Sequence, residues 1–353
     1  MKIVVAMSGG VDSSVAAALL AEQGHDVVGF SMQLYDHRGP EAFGSCCSID
    51  DLHDARRVAS VLGFPHYIVN FERQFQDTVV SNFVREYAAG RTPIPCAHCN
   101  SDLKFATLLD RARGLGAEHV ATGHYARVEQ APDGRWLLKR SADAEKDQSY
   151  FLFSLTQEQL SHAVFPVGAL RKAEVREQAR RLSLAVADKP DSQEICFVPD
   201  GDYAAFVARK APETLQGGVI VDEEGHALGR HDGVHRFTVG QRKGLGIGGT
   251  TAPLYVLKID AASRAVTVGP REALDRGALT ASGVNWIAVD PPASPLRVSA
   301  QIRHRHTAAP GRVVALPGGR AEFTFDTPQP AVTPGQAVVF YDGDLVVGGG
   351  WID

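Results

Sequence analysis

The sequence predicts an α/β protein whose first half is a parallel sheet covered by helices, followed by a small central β domain and a C-terminal β-barrel. Three observations predict it. Short β-branched runs alternate with amphipathic or Ala/Leu-rich runs up to about residue 182, the pattern of repeated β-α-β units. Beyond about Tyr203 the pattern becomes short strands separated by Gly- and Pro-rich turns, which points to small barrels or open sheets. The chain of 353 residues is long enough for two or three domains.

Taken in order, Lys2–Met7 is a strand, and Ser13–Glu22 is a helix that stops near Gly24. Asp26–Met32 is a second strand. Leu52, Ala55, Val58, Ala59 and Leu62 fall at helical spacing before the stop at Gly63. His66–Phe71 is a third strand, and Phe75, Val79, Phe83 and Tyr87 repeat every four residues along one helix face. Arg91–Asn100 is predicted as a loop, Asp102–Arg113 as a helix and Glu118–Thr122 as a fourth strand. Residues 156–182 are predicted to be helical. Gly217-Gly218 and Asp290–Pro295 are plausible joints, and no repeat or low-complexity tract is present. The domain division predicted is 1–205, 206–273 and 274–353.

Composition excludes several classes. Hydrophobic residues are 44% and charged residues 22%, ordinary for a folded domain. No apolar run approaches the roughly 20 residues of a membrane span, and Lys2–Met7 is too short for a signal peptide. Five cysteines (Cys46, Cys47, Cys96, Cys99, Cys196) are too few and too scattered for a secreted disulfide framework. The expectation is a reducing, cytoplasmic setting with no membrane. A net charge of −5 argues against a generally basic nucleic-acid binder and leaves local patches open.

The sharpest motif is Ser8-Gly9-Gly10-Val11-Asp12-Ser13-Ser14, between the first strand and first helix. Glycines there let backbone N–H groups crowd an anion, and the helix N-terminus adds its positive end. Hydroxyls of Ser8, Ser13 and Ser14 can donate to phosphate, and Asp12 can orient the loop or meet magnesium. The plainer alternative is a tight turn with Asp12 or Ser13 as helix cap. The loop lacks the lysine of the common G-x-x-x-x-G-K-[ST] motif. It resembles the loop of the N-type ATP pyrophosphatases, which split ATP to AMP and pyrophosphate while adenylating an acceptor.

Cysteines give the second clue. Cys96 and Cys99 form a C-x-x-C pair in a proline-bounded segment, and Cys196 stands in Asp191–Phe197. Separated thiols suggest nucleophilic sulfur chemistry, a metal, or an iron–sulfur cluster. Buried, inert cysteine is the alternative, above all for Cys46 and Cys47. Lys189-Pro190 stiffens the approach to Cys196. Tyr150, Phe151 and Phe153 are expected to be core. Arg297, Arg303, Arg305 and Arg312, with His304 and His306, would give either a local positive face for RNA phosphates or a solvated strand face.

The series SGGVDSS, TPIPCAHCNSDLKF, ATGHYARV, KDQSYFL, FPVGALRKAEVRE, DSQEICF, HRFTVGQRKGLGIGG and GQAVVFYDGDLVVGGG runs in order from Ala6 to Gly350. It resembles the tRNA-specific 2-thiouridylases over nearly the whole chain. The resemblance implies an ATP-pyrophosphatase-like (Rossmann-like) catalytic domain, with ATP and Mg2+ as cofactors. It implies an enzyme that adenylates the C2 oxygen of the wobble uridine and replaces it with sulfur. ATP would be held by Ala6, Met7, Ser8, Gly9, Gly10, Val11, Asp12 and Ser13 with Met32 and Gly123. Cys196 matches the persulfide-bearing cysteine, and Cys99 the partner that releases the sulfur or forms a disulfide. His124, Lys146, Asp147, Gln148, Arg303, His304 and Gln336 match tRNA-contacting positions. Implied partners are tRNAs of the Lys, Glu and Gln type and a cysteine desulfurase or sulfur-relay protein. Many relatives carry Asp where this chain has Cys96. That departure opens the alternative that Cys96, Cys99 and Cys196 ligate a 4Fe-4S cluster, against a purely persulfide route with Cys96 as an extra resolving thiol. Rival readings are a small-molecule ligase, which needs no such thiols, and a non-catalytic RNA-binding or sulfur-carrier protein.

Overall fold

The computed structural model describes residues 1–34, 49–191, 195–198, 200–212, 216–248 and 252–353; Cys46 and Cys47 lie outside the described residues. The chain forms two compact units. One comprises Met1–Val79, Cys96–Gly201 and Gly343–Val346, the other Val80–Pro95, Asp202–Asp342 and Val347–Asp353.

The first unit begins β1 (Lys2–Ala6), α1 (Val11–Glu22), β2 (Asp26–Gln33), α2 (Ile49–Leu62), β3 (His66–Asn70) and α3 (Glu72–Phe75). A π-helical stretch, Gln76–Val80, carries α3 into α4 (Ser81–Ala88), which belongs to the second unit. The first unit resumes with α5 (Pro95–His98), a second π-helical stretch Cys99–Thr107, and α6 (Leu108–Arg113). Then follow β4 (His119–Ala121), the hairpin β5 (Ala126–Gln130) and β6 (Trp136–Arg140), α7 (Gln157–Ser161), β7 (Ala163–Val164) and α8 (Lys172–Arg181).

Five parallel strands lie in the order β3-β2-β1-β4-β7. In β1, Ile3, Val4 and Val5 are all fully buried, as a central strand covered on both faces requires. Helix α1 is apolar nearly all round, with Val15, Ala16, Ala17 and Ala18 fully buried, and it packs on α2 and α8. Chain order steps outward from β1 to β2 and β3, then returns to β4 on the other side of β1. Ligands of open α/β sheets bind at such a switch point, beyond the carboxyl ends of the strands.

Three local expectations change. Residues 156–182 are not one helix: α7 ends at Ser161, and the two-residue β7 adds a fifth strand by pairing with Val120 and Ala121. Two residues are too few to show a period. The hairpin β5–β6 was missed although its turn, Ala131-Pro132-Asp133-Gly134, carries a strong signal. The C-x-x-C segment is helical rather than a loop, because Pro95 supplies the helix start that its fixed φ favours.

The second unit adds α9 (Tyr203–Lys210), which packs on α4 through a Tyr87–Tyr203 stack at 4.7 Å and a Phe83–Phe206 edge contact at 6.0 Å. β8 (Gly218–Val221), β9 (Ala227–His231), β10 (Tyr255–Asp260) and β11 (Ala265–Gly269) form a sheet in the order β10-β11-β8-β9. Its core is Ile220, Val256, Val266 and Val268. β12 (Asp275–Trp286), β13 (Leu296–Gln301), β14 (Ala309–Leu316), β15 (Arg320–Pro330), β16 (Ala337–Asp342) and β17 (Leu345–Ile352) run in the order β12-β15-β14-β13-β16-β17. β17 pairs back onto β12, Ala281 opposite Ile352, so these six strands close a barrel. Alternation is plain in β15, where Ala321, Phe323 and Phe325 are buried and Glu322, Thr324 and Asp326 are exposed. The parallel-sheet domain, central β domain and closed C-terminal barrel therefore stand as predicted.

Candidate active site

The Ser8–Ser14 loop leaves β1 at the switch point. Gly9 has φ +73°, and a Cβ there would lie 2.2 Å from the Asp51 carbonyl oxygen at the start of α2. Only glycine meets both conditions. Gly10 is the N-cap of α1, with no side-chain cap bond, so Asp12 and Ser13 sit inside the first turn and are not caps. Ser13 and Ser14 hydroxyls donate to the Gly10 carbonyl at 3.2 and 2.8 Å, and Ser8 N–H donates to Ser13 Oγ at 3.2 Å. From the other side, Gly123 follows β4, and a Cβ there would lie 2.5 Å from Ser13 N. Gly123 thus lets the loops after β1 and β4 touch, while Gly9 lets the first of them lie on α2. Met7 N–H donates to Phe30 O, and Met7 O accepts from Ser31 Oγ at 2.7 Å. Met32, next in β2, is buried.

Asp12 is the hub of a charged chain that sequence reasoning missed. Its carboxylate accepts from Tyr125 Oη at 2.8 Å and from Lys172 Nζ at 2.8 Å. Burial and the negative charge of Asp12 together raise the Tyr125 hydroxyl far above its ordinary pKa, so it stays protonated and donates. Lys172 also reaches Asp191 at 2.8 Å, and Asp191 takes Lys146 at 2.8 Å and Arg176 at 3.2 Å. Burial works to raise Asp191, but bonds from Lys146 and Lys172 outweigh it and hold the carboxyl at about 2. Lys189 completes the surround. Its ammonium donates to Gly9 O at 3.1 Å, Asp51 at 2.5 Å and Asp54 at 2.8 Å. It does more than stiffen the approach to Cys196. The signal was present, since Lys172 and Asp191 lie in the motif blocks FPVGALRKAEVRE and DSQEICF, but their partners are far away in sequence.

His124 sits beside this loop. Its Nδ1 is 2.7 Å from Thr122 Oγ1, and its ring meets Phe165 edge-on at 6.0 Å. Burial, with the nearby Lys104 charge, pushes its pKa well below the ordinary value, so the imidazole is neutral at pH 7. Lys146 is tied to Asp191. Asp147, only 7% exposed at its side chain, accepts from Ser141 N, Ser149 N, Ser149 Oγ and Arg140. It organises its own turn. Gln148 Oε1 accepts from Tyr125 N at 3.0 Å. Tyr150 and Phe153 are buried, as expected of core.

The cysteines are placed by helix and ring packing. Cys96 is exposed, and Cys99 and Cys196 are half-buried. Cys96 and Cys99 are three apart on one continuous helical segment and so share a face. π-helical turns gather at functional sites, and one opens at Cys99. Its neighbour Asn100 is anchored by Nδ2 to Phe151 O at 3.1 Å and by Lys104 to its Oδ1 at 3.0 Å. Phe197, next to Cys196, packs edge-on against Phe75 at 5.6 Å, and α3, which carries Phe75, packs on the π-helical stretch. As a donor set, three thiolates suit an iron–sulfur cluster, whose irons are ligated separately.

Arg303, His304 and Gln336 belong to the second unit. Arg303 Nη1 donates to Pro330 O, His304 is exposed, and Gln301 Nε2 holds the turn by donating to the carbonyls of both Arg303 and His304. Gln336 Nε2 donates to Thr92 O at 3.0 Å. Arg297 and Arg312 face each other across β13 and β14, and Arg297 makes a two-pronged pair with Asp326. The positive face is partly neutralised from within.

Comparison with known proteins follows the same three-part division. Residues 1–200 match the family model for a tRNA methyl transferase HUP domain. Residues 204–270 match its PRC-barrel domain, and 276–352 an aminomethyltransferase beta-barrel domain. The protein named tRNA-specific 2-thiouridylase MnmA from Geotalea uraniireducens (strain Rf4) is 56% identical over 357 residues, spanning 100% of this chain and 95% of that one. Its namesake from Magnetococcus marinus (strain ATCC BAA-1437 / JCM 17883 / MC-1) is 53% identical over 353 residues, spanning 99% and 98%. A solved 4-thiouridine synthetase–RNA complex with bound ATP overlaps 60% of this chain and 50% of that one at 16% identity and TM-score 0.35. With identity above one half along its whole length to such relatives, the chain belongs to the family of tRNA-specific 2-thiouridylases.

Proposed function

We propose that the chain is an ATP-dependent tRNA-uridine 2-sulfurtransferase with catalytic, central β and barrel domains at 1–205, 206–273 and 274–353. The observation that carries the reading is the anion loop, closed by Gly9 and Gly123 at the sheet's switch point with Asp12 and Lys172 beside it. ATP with Mg2+ takes the loop Ala6–Ser13, Met32 and Gly123, with backbone N–H groups on its phosphates. Asp12 has an oxygen for the magnesium once Lys172 turns to the phosphates. The C2 oxygen of the wobble uridine attacks the α-phosphorus and pyrophosphate leaves. C2 now bears an adenylate, a leaving group that a bare carbonyl oxygen is not.

Cys196 carries the incoming sulfur as a persulfide, whose terminal sulfur attacks C2. The Cys99 thiolate attacks the Cys196 sulfur, so the S–S bond of the persulfide breaks as a Cys99–Cys196 disulfide forms. AMP departs with the C2 oxygen, and a cellular thiol reductant resets the disulfide. A second reading rests on Cys96 sharing a helix face with Cys99: with Cys196 these thiolates would hold a 4Fe-4S cluster, which would supply an iron that binds sulfide. His124, Lys146, Asp147, Gln148, Arg303, His304 and Gln336 are the proposed tRNA contacts, direct or through the turns they hold. Partners are tRNAs of the Lys, Glu and Gln type and a cysteine desulfurase or sulfur-relay protein, and the setting is the cytoplasm. Among the described residues no helix is long and apolar enough to cross a membrane.

The test is nucleoside mass spectrometry of unmodified tRNA incubated anaerobically with protein, ATP, Mg2+ and a sulfur source. Expected are 2-thiouridine and tRNA-dependent AMP, with Cys196→Ser abolishing the thiouridine while ATP binding persists. Full thiolation by Cys196→Ser would remove that residue from both routes. Iron bound by the wild type and lost with activity in Cys96→Asp would favour the cluster; activity of Cys96→Asp without iron would favour the persulfide.

A further inference from the structure

Asp191 is held by more cations than a carboxylate has oxygens. Its Oδ1 lies 2.8 Å from Lys172 Nζ and 3.2 Å from Arg176 Nη2, and its Oδ2 lies 2.8 Å from Lys146 Nζ. Arg176 is fixed from behind, with Nη1 on the Ala187 carbonyl at 2.8 Å and Nη2 on the Lys189 carbonyl at 3.1 Å. The neighbouring Asp143 carboxylate engages backbone instead, accepting from Lys172 N at 2.8 Å and Glu145 N at 3.1 Å. Lys172 also reaches both oxygens of Asp12 at 2.8 Å. The side chains of Arg176 and Asp191 are 24% and 23% exposed, so a dissolved anion can reach them.

Three convergent cations fit a different anion better. A phosphoryl group offers three strong acceptor oxygens and up to two negative charges, one oxygen for each cation. The place is also right for one. Lys172 bridges Asp191 to Asp12, so a single ammonium separates the cradle from the Ser8–Ser14 loop. That loop has no lysine of its own, and Lys172 supplies one from 160 positions away. Burial works to raise the pKa of Asp191, but bonds from Lys146 and Lys172 outweigh it and hold the carboxyl at about 2. At neutral pH the carboxylate is therefore a fixed negative charge lodged among the cations.

We propose that Lys146, Lys172 and Arg176 form a cradle for the pyrophosphate end of the nucleotide, and that Asp191 is its built-in competitor. The carboxylate gives way when a phosphoryl group enters and returns when it leaves. This rests on the reading of the Ser8–Ser14 loop as the ATP site, and it names the cations that receive the leaving pyrophosphate. A returning carboxylate helps to expel that product, which makes adenylation harder to reverse. A phosphate of an RNA backbone has the same chemistry; the ammonium shared with Asp12 favours the nucleotide's.

The probes are inorganic pyrophosphate, AMP and α,β-methylene-ATP, each titrated calorimetrically with Mg2+ into the full chain. Asp191→Asn keeps an acceptor oxygen and removes the competing charge. It is expected to tighten pyrophosphate about tenfold, the scale of one charge-assisted hydrogen bond. AMP, which lacks the β and γ phosphates, is expected to change less than about twofold. Lys146→Met is expected to weaken pyrophosphate about tenfold when combined with Asp191→Asn, and less than about threefold alone, where its loss also loosens the competitor. An effect of Lys146→Met that is equal in both backgrounds would overturn the proposal, because a general background charge acts that way. So would an unchanged pyrophosphate affinity in folded Asp191→Asn, or equal tightening of AMP. Tighter tRNA with unchanged pyrophosphate would give the cradle to the RNA backbone and overturn it too. If Asp191→Asn fails to fold, the wild type carries the test. Saturating pyrophosphate should then raise carbodiimide-driven glycine ethyl ester labelling of Asp191 about threefold, relative to the exposed Asp133, by peptide mass spectrometry; an unchanged ratio would sink the idea. A wild type that binds no α,β-methylene-ATP would instead overturn the ATP reading itself, and this one with it.

Discussion

Two glycines leave no room for a side chain where the loop after β1 meets its neighbours. Gly9 was legible as part of a glycine-rich turn, because motif and position agree. Gly123 was legible only through its place in ATGHYARV, since nothing about a lone glycine after a strand shows that it abuts Ser13 N. Gly123→Ala places a methyl group 2.5 Å from that nitrogen, closer than real Cβ contacts come, so the loops after β1 and β4 must part. The expected outcome is a fall in ATP affinity of tenfold or more with the fold intact, measured by nucleotide titration and circular dichroism. An unchanged affinity would take the β4 loop out of the nucleotide site. Lys172 and Asp191 were legible only as members of motif blocks; their partners, and those of Lys189, were not. Lys189 meets Gly9 across 180 positions of sequence, and charge pairing at that range leaves no periodic trace.

Among elements, long periodic ones were readable and short or irregular ones were not. β1, β2 and β3, α1 and the Phe75–Tyr87 helix face were each predicted near their observed places, because apolar period and stop residues coincide there. The π-helical turns and β7 carry no such signal: one residue of extra winding does not break an apolar repeat, and two residues cannot set one. The β4 loop gives this scale its prediction. His124 has a folded pKa well below 6.5, whereas in the unfolded chain it titrates near 6.5. As pH falls through 6.5 the unfolded state binds a proton that the folded state refuses, so stability must fall with it. Urea unfolding at pH 7.5 and pH 5.5 should show a lower midpoint at the acid pH, and His124→Gln should shrink the difference. Asp191 acts at the other end of the scale: its stabilisation is fully present above about pH 4 and is lost as pH falls toward about 2.

Across the whole molecule, a net charge of −5 and an RNA substrate look incompatible until the charge is located. Arg297 and Arg312 stand side by side on the barrel's outer face, and Asp326 offsets them. If this face meets RNA phosphates, Asp326→Asn releases Arg297, and tRNA affinity at low salt should rise about two- to fivefold with a steeper salt dependence. Equal affinity and equal slope would place the RNA elsewhere. The order of domains was readable from the change of strand spacing beyond Tyr203. The interleaving of the two units was not, because it depends on which partner α4 chooses.

That choice has a consequence for how the chain is made. Phe83 and Tyr87 leave the ribosome with the nucleotide half, but Tyr203 and Phe206, the rings they pack on, are synthesised roughly 120 residues later. At about 5–20 residues per second the apolar face of α4 waits on the order of ten seconds for its cover. A nascent chain in that interval presents a sticky amphipathic helix beside a half-built sheet. Translation speed between residues 90 and 203, and the chaperones at hand meanwhile, should therefore govern the yield of active protein more than the stability of the finished fold does.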